Sequence, residues 1–189
     1  MGISETLQNH ETDNHSSYMD EWQAYFLGIA KAVAQKSKDP RCSVGAVVVS
    51  SDHLVLSTGF NGLARGIYDT PSLLRDVDEK LKWICHAEAN AILNGGRKGV
   101  SLEGGQIIVT KFPCLFCCNL IVQSGITTIC TDDNKFWDDD AFDPSPHNRK
   151  KALLREARIR VVAPPNHPFF DPPSASDLRR NQRRKLERR

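Results

Sequence analysis

The sequence predicts an α/β protein built on one mixed β-sheet that is covered by helices on both faces. Three observations support this prediction. Residues 45–49 and 53–59 are two runs rich in β-branched side chains, and the connection between them is short enough for a hairpin. A segment with apolar residues at helical spacing precedes them. After them, strand-like and helix-like segments alternate as far as residue 162. An opening hairpin followed by such an alternation implies a mixed sheet between layers of helices.

The first half of the chain begins with an amphipathic helix. Residues 20–36 carry their apolar side chains at helical spacing, and the helix is expected to end before Asp39-Pro40, because a residue that precedes proline avoids the helical region. Residues 50–52 then join the two strands of the hairpin. A glycine-punctuated loop follows at residues 60–66, at the end of a strand, where binding residues often lie.

The second half begins with a charged segment, residues 67–83, which is too polar for a core and is interpreted as partly helical. The remaining predicted elements are a helix over residues 85–94 that Gly95-Gly96 stops, a strand at 106–110, a helix at 114–124, a strand at 126–131, a basic helix at 148–157 and a strand at 159–162. An acidic, aromatic loop at 132–146 precedes the basic helix.

Composition predicts one domain with polar ends. The 189 residues are 40% hydrophobic and 25% charged, which suits a single well-filled domain. Residues 1–18 are predicted to be a loose segment, 19–163 the folded domain, and 164–189 a Pro- and Arg-rich tail. No apolar run approaches the ~20 residues of a membrane span and no signal-peptide core is present, so a cytoplasmic protein is expected.

The charge is unevenly distributed along the chain. The last twelve residues hold seven of the basic side chains and one Glu, and the rest of the chain therefore has a net charge of −4. A basic tail of this kind can bind nucleic acid, but a solvated terminal segment is the favoured interpretation.

Two short motifs predict a metal site. His86 and Glu88 stand two residues apart, and Cys114 and Cys117 three apart, each pair next to the start of a predicted helix. One imidazole and two thiols, with no obvious fourth ligand, suit a tetrahedral Zn²⁺ whose last position holds water, as in catalytic zinc sites. The other four cysteines are interpreted mainly as buried apolar residues, although a second zinc site that uses one of them remains an alternative.

Glu88 is interpreted as a proton carrier rather than a ligand. Residues i and i+2 of a helix do not face each other, so Glu88 is poorly placed to share an ion with His86. Both motifs fall where helices begin, and the unpaired N–H groups there stabilise thiolates and a developing hydroxide.

These motifs form the HxE and PCxxC signature of zinc-dependent deaminases. The segments 37–40, 44–47, 59–62, 86–92 and 133–136 further resemble the deoxycytidylate (dCMP) deaminases, a similarity that covers roughly residues 22–162. The resemblance implies a three-layer α/β/α, cytidine-deaminase-like fold with a mixed five-stranded sheet, one catalytic Zn²⁺ on His86, Cys114 and Cys117, and Glu88 as the proton shuttle.

The resemblance also implies roles for residues around the metal. Asn61 would bond the deoxyribose hydroxyl, with a simple turn residue as the alternative interpretation. The remaining implied substrate contacts are the backbone at Ala46 and Pro113 for the base, Phe136 for stacking on the pyrimidine, and Lys38, Arg41 and Lys135 for the phosphate.

The function implied is hydrolytic deamination of dCMP to dUMP, with release of ammonia, to supply dUMP for thymidylate synthesis. Members of the family are commonly homohexamers that dCTP activates and dTTP inhibits, so a homo-oligomer, either a hexamer or a dimer, is expected here. The effector site would include Gly62, Arg65 and Gly66, although Ala64 and Ile67 stand where the family usually has Pro and Cys.

Three other functions are kept as alternatives. The first is deamination of another nucleotide or a free base, such as dCTP, a 5-modified dCMP or guanine, because the motifs near the metal would barely differ. The second is a tRNA or single-stranded DNA deaminase, which the absence of a basic aromatic groove in the sequence disfavours. The third is a catalytically silent zinc protein that acts as an interaction module, which the intact Glu88 disfavours.

Overall fold

The computed structural model describes residues 19–133 and 149–162. Its centre is a five-stranded sheet with the strand order β2-β1-β5-β6-β7. Strand β1 is antiparallel to both β2 and β5, and β5, β6 and β7 run parallel. The predicted mixed five-stranded sheet is therefore confirmed.

The elements follow one another in the predicted order. The strands are β1 (Gly45–Val49), β2 (Val55–Phe60), β3 (Gly62–Leu63), β4 (Ile84–Cys85), β5 (Gln106–Val109), β6 (Thr128–Thr131) and β7 (Arg160–Val162). The helices are α1 (Glu21–Ala34), α2 (Pro71–Arg75), α3 (Val77–Trp83), α4 (Ala87–Arg97), α5 (Leu115–Gln123) and α6 (Arg149–Glu156).

Alternate residues of the central strands face two different apolar layers. Val47, Val49 and Ile108 pack with Phe26 and Ala30 of α1 on one face. The other face carries a larger core, formed by side chains of β1, β5, β6 and β7 together with residues of α4, α5 and α6 that include Ala87, Ala91, Cys118, Ile121 and Leu154. The period-2 alternation thus buries both faces of the sheet, as a three-layer fold requires.

The predicted end of helix α4, placed at residue 94 from the sequence, is wrong. Helix α4 continues through Gly95 and Gly96 to Arg97. Gly95 packs against Leu102, where an added Cβ would lie 3.0 Å from a methyl carbon, so tertiary packing compensates for the weak helix propensity of glycine. The helix ends at Arg97 with Lys98 as its C-cap, and the next residue, Gly99, has a φ of +67°, the left-handed conformation typical just after helix C-termini.

The predicted start of the same helix is also too early. Cys85 lies in strand β4, which pairs with β3 in a small separate sheet, with Gly62 opposite Cys85. The loop predicted at residues 60–66 therefore contains a short strand. Because β4 leads directly into α4, this small sheet fixes where His86 and Glu88 lie.

None of the helices in the described parts of the chain is long and apolar enough to cross a membrane. The predicted N-terminal segment 1–18 and C-terminal tail 164–189 lie outside the described residues, as does most of the acidic, aromatic loop.

Candidate metal centre and active-site cavity

His86 occupies the N-cap position of α4. Its backbone is extended and its side chain makes no capping hydrogen bond to the helix. The imidazole is therefore free to turn its Nδ1 atom toward the two cysteines, 3.4 Å from each sulfur.

Cys114 occupies the equivalent N-cap position of α5, and Cys117 lies in the first turn of that helix. The His86 Nδ1 atom and the two sulfur atoms lie within 4.8 Å of one another. Tetrahedral zinc with Zn–N near 2.0–2.1 Å and Zn–S near 2.3 Å requires about 3.5 Å between nitrogen and sulfur. The observed 3.4 Å separations match that requirement, so this donor set fits zinc.

The two thiols differ in acidity. Hydrogen bonds from Cys117 and His86 lower the pKa of Cys114 to about 3. The hydrogen bond to Cys114 and burial raise the pKa of Cys117, and the bond to Cys114 also raises the pKa of His86. The hydrogen bonds among these three side chains therefore favour the thiolate form of Cys114. A bound zinc would displace the protons of these hydrogen bonds, because its ligands must be deprotonated.

Glu88 lies in the first turn of α4 and is only 4% exposed. Burial raises the pKa of its carboxyl group, which favours the protonated form. A carboxyl group with a raised pKa, beside a metal site, is suited to accept and return protons near neutral pH.

These residues, with the exception of Cys117, line one cavity of about 330 Å³. His86, Glu88 and Cys114 form part of its lining, and the lining also includes Asp39, Cys42, Val44, Asn61, Lys80, Leu81, Ile84, Ala87, Lys111 and Phe112. A pocket that combines apolar surface with a few convergent polar groups is typical of small-molecule sites.

Asn61 lines this cavity with both of its polar groups in hydrogen bonds to the protein. Its Oδ1 accepts from the Val44 amide at 2.8 Å, and its Nδ2 donates to the Cys42 carbonyl at 2.8 Å. Asn61 therefore organises the loop between α1 and β1 and also lines the cavity, and its contact with a deoxyribose hydroxyl stays a prediction.

The other implied substrate contacts are scattered. Ala46 is buried within β1, and Pro113 is buried between the cavity residues Phe112 and Cys114. Lys38 lies at a different cavity, in a 2.5 Å ion pair with Asp69. Arg41 is exposed and is not among the lining residues of either cavity. Phe136 and Lys135 lie outside the described residues.

That second cavity has a volume of about 260 Å³ and contains the residues predicted for an effector site. Gly62, Arg65 and Gly66 line it together with Lys36 and Lys38. The Arg65 guanidinium donates to Asn94 Oδ1 at 2.6 Å.

Sequence reasoning missed three polar residues of the first cavity, namely Asp39, Lys80 and Lys111. Lys111 directly precedes the Phe-Pro-Cys motif, a position that could have indicated it. Lys80 gave no such signal, because it lies in the charged segment interpreted as too polar for a core. The same reasoning was wrong for Cys42 and Cys85, which are half-buried rather than core residues, whereas Cys118 and Cys130 are buried as predicted.

With the geometry established, comparison with known proteins assigns the family. Residues 20–132 match the model of the cytidine and deoxycytidylate deaminase zinc-binding region. The chain belongs to this deaminase family. It is a zinc-dependent deaminase, and the cluster of His86, Cys114 and Cys117 is its candidate metal site.

Relatives of this deaminase include human deoxycytidylate deaminase, 37% identical over 125 residues, which cover 64% of this chain and 69% of the human protein. The probable deoxycytidylate deaminase of Drosophila melanogaster is 33% identical over 146 residues, which cover 72% of this chain and 70% of the fly protein. The crystal structure of dCMP deaminase from the cyanophage S-TIM5 in complex with dCMP and dUMP matches the fold with a TM-score of 0.58 and 21% identity, covering 75% of this chain and 95% of that one.

Proposed function

We propose that this chain catalyses the hydrolytic deamination of dCMP to dUMP. Curated relatives in human and mouse are deoxycytidylate deaminases. The observation that supports the proposal most strongly is that the cluster of His86, Cys114 and Cys117 lies beside a cavity that His86, Cys114 and the buried Glu88 line. A structural zinc site would have four protein ligands. It would also have no function for a buried acid beside the metal.

In the proposed reaction, His86, Cys114 and Cys117 would hold zinc, which would supply Lewis-acid activation of water when bound. Glu88 accepts a proton from the attacking water and delivers it to N3 of the cytosine ring. The water oxygen bonds to C4 as a hydroxyl group, and Glu88 then takes the remaining proton from that hydroxyl group and passes it to the departing 4-amino group. The bond from C4 to the amino nitrogen breaks, and dCMP and water become dUMP and ammonia. The raised pKa of Glu88 suits both directions of proton transfer.

Lys111 is our candidate for contact with the 5′-phosphate. It lines the cavity, is exposed, and has its ammonium 3.7 Å from the Cys42 sulfur. The cavity's other lysine, Lys80, is instead paired with Asp39. Charge-assisted hydrogen bonds to phosphate oxygens are among the stronger polar contacts. This candidate is preferred to Lys38 because Lys38 lies at the second cavity, next to Asp69.

We further propose that the second cavity receives a nucleoside triphosphate effector, with dCTP as activator and dTTP as inhibitor in a homo-oligomer. Three basic residues, Lys36, Lys38 and Arg65, line this cavity together with Asp39 and Asp69. Because Lys38 is paired with Asp69, Lys36 and Arg65 are the cations that support an anionic ligand there. Turnover and sedimentation, each measured with and without the two triphosphates, test this proposal.

The cytosol is the proposed location. The six cysteines are free thiols, which suits a reducing compartment and a thiolate-bound metal.

The central experiment is an ammonia-release assay on the purified, zinc-loaded full chain. The panel comprises dCMP, dCTP, CMP, deoxycytidine, 5-methyl-dCMP, guanine and a tRNA anticodon stem. We expect the largest kcat/KM for dCMP. Preference for guanine, for a triphosphate or for the tRNA stem would replace the proposed substrate, and inactivity on the whole panel would contradict the proposed reaction.

A further inference from the structure

Helix α3 is attached to the rest of the domain in an unusual way. Its single buried residue is a lysine, Lys80, which is 5% exposed. The large apolar side chains of the same helix, Leu81 and Trp83, are 62% and 48% exposed. The position of this helix therefore depends little on apolar burial and strongly on what the Lys80 ammonium contacts.

The contact is a buried ion pair in the lining of the active-site cavity. Lys80 Nζ lies 2.9 Å and 2.8 Å from the two carboxylate oxygens of Asp39. The side chains are 6% and 4% exposed, and both residues line the cavity. Because an unpaired charge in this position would be very costly, each partner strongly constrains the other.

Asp39 also binds the backbone of the loop between α1 and β1 and so connects Lys80 to that loop. Its Oδ1 accepts from the backbone amides of Arg41 at 2.9 Å and Cys42 at 3.3 Å. Its Oδ2 accepts from Asn61 Nδ2 at 3.4 Å. Since Asn61 is also bonded to Cys42 and Val44, the network fixes residues 39–44 and Asn61 together.

We infer that Lys80 is a positioning residue for substrate binding: through Asp39 it holds residues 39–44 and Asn61 in their binding geometry, and it fixes α3 as a wall of the cavity. The ligand concerned is the pyrimidine deoxynucleotide, so the inference rests on the proposed function. The metal ligands lie on α4 and α5, which this network does not include. Loss of Lys80 should therefore impair binding while the metal site stays intact.

The test compares Lys80→Met with Lys82→Met. Lys82 lies on the same helix, 66% exposed, and is paired with Glu79 at the surface. For Lys80→Met we expect KM for dCMP to rise about tenfold or more, with a kcat within about threefold of wild type, because lost binding geometry appears mainly in KM. Zinc content should stay at one ion per chain. Lys82→Met should match wild type in every measurement.

Two further measurements separate positioning from general destabilisation. Hydrogen exchange should show faster exchange in residues 39–44 of Lys80→Met, with the start of α5 unchanged. Lys80→Arg, which keeps the charge, should restore most of the lost affinity. The double variant Asp39→Asn/Lys80→Met removes the uncompensated charge, and it should fold yet keep the raised KM, because α3 has lost its attachment.

Several outcomes would overturn the inference. The first is an unchanged KM in Lys80→Met. The second is a fall in kcat and in zinc content in Lys80→Met that accompanies the rise in KM. The third is a wild-type KM in the double variant. If the wild-type chain itself fails to deaminate dCMP, the proposed function is wrong, and the hydrogen-exchange comparison still decides whether Lys80 positions the loop.

Discussion

The Nδ1 atom of His86 lies 3.4 Å from the Sγ atom of Cys114, and each residue is the N-cap of its helix. The two helices therefore direct their unpaired backbone N–H groups, and the positive ends of their dipoles, toward the same small volume. That arrangement favours thiolates and any anion that develops there. It also explains why ligands 28 residues apart in sequence form one site.

Replacement of Glu88 by glutamine should remove proton transfer and leave the metal in place. The amide is close in size to the carboxyl group but cannot carry a proton between water and the base. We expect kcat to fall by roughly 10²–10⁴-fold, the usual contribution of a general acid–base group. Turnover is measured by ammonia release and zinc by elemental analysis. Normal kcat in a zinc-loaded Glu88→Gln chain would refute this role.

Cys117 and Cys118 are adjacent in α5, and their alanine variants test which of the two thiols binds the metal. Cys117→Ala removes a ligand and should reduce bound zinc from one per chain to near zero, with complete loss of turnover. Cys118 is equally buried but lies in the apolar core, with its thiol 3.8 Å from the Pro113 carbonyl. Cys118→Ala should retain zinc and activity, at a cost of about 1 kcal/mol of stability. Equal zinc contents in the two variants would place the ion elsewhere.

Substitutions of Lys111 and Lys38 distinguish between two locations for the substrate phosphate, the first cavity and the second. Lys111→Met should raise KM for dCMP roughly tenfold, because one charge-assisted hydrogen bond is worth about 1.5–3 kcal/mol before solvent screening. The turnover of deoxycytidine, which lacks the phosphate, should not change. Lys31→Met serves as the control, since Lys31 forms a surface pair with Asp132. A larger effect at Lys38 than at Lys111 would assign the phosphate to the second cavity.

Substitution of Gly59 tests how closely α4 packs on the sheet, and substitution of Gly28 serves as the control. A Cβ on Gly59 of β2 would lie 2.3 Å from the Ala91 nitrogen and 2.4 Å from the Ala87 oxygen of α4. Gly59→Ala should therefore cost about 3 kcal/mol or more and reduce activity, because the helix that carries Glu88 must move. Gly28, on the exposed side of α1, has open space, and Gly28→Ala should stabilise the chain by about 0.5–1 kcal/mol. Urea denaturation measures both effects.

The buried ion pair predicts a specific acid sensitivity. Burial raises the pKa of Asp39, but the hydrogen bond from Lys80 and those from the Arg41 and Cys42 amides more than offset this effect, so the folded-state pKa is lowered. Asp39 therefore stabilises the fold fully above its unfolded pKa of about 3.9, and this contribution is lost as the pH falls through the lower, folded-state value.

Urea unfolding as a function of pH, on wild type and Asp39→Asn, measures that contribution. The stability difference between the two proteins should be constant near neutral pH and shrink below about pH 4. A difference that stays constant down to pH 2 would contradict the lowered pKa.

Much of this molecule could be predicted from local sequence patterns. Runs of β-branched residues located the five strands of the main sheet, and helical spacing located α1, α4 and α5. The HxE and PCxxC motifs identified the candidate metal ligands, whose ligand atoms the structure brings within 4.8 Å of one another. The errors in the helices were at boundaries: Gly95 stays helical because its packing against Leu102 outweighs the low helix propensity of glycine, and Gly96 follows it in the same helix.

The sequence by itself therefore determined the order and type of the main elements, the candidate metal cluster of His86, Cys114 and Cys117, and the family. Only the tertiary structure decided that Lys80 is buried, that it bonds Asp39 across 41 residues, and that Lys111 and not Lys38 lies at the cavity. The physical reason is that helices, strands and short motifs arise from near neighbours and leave periodic signals. An ion pair between a polar segment and a distant loop depends on how the chain closes on itself, and no local pattern records it.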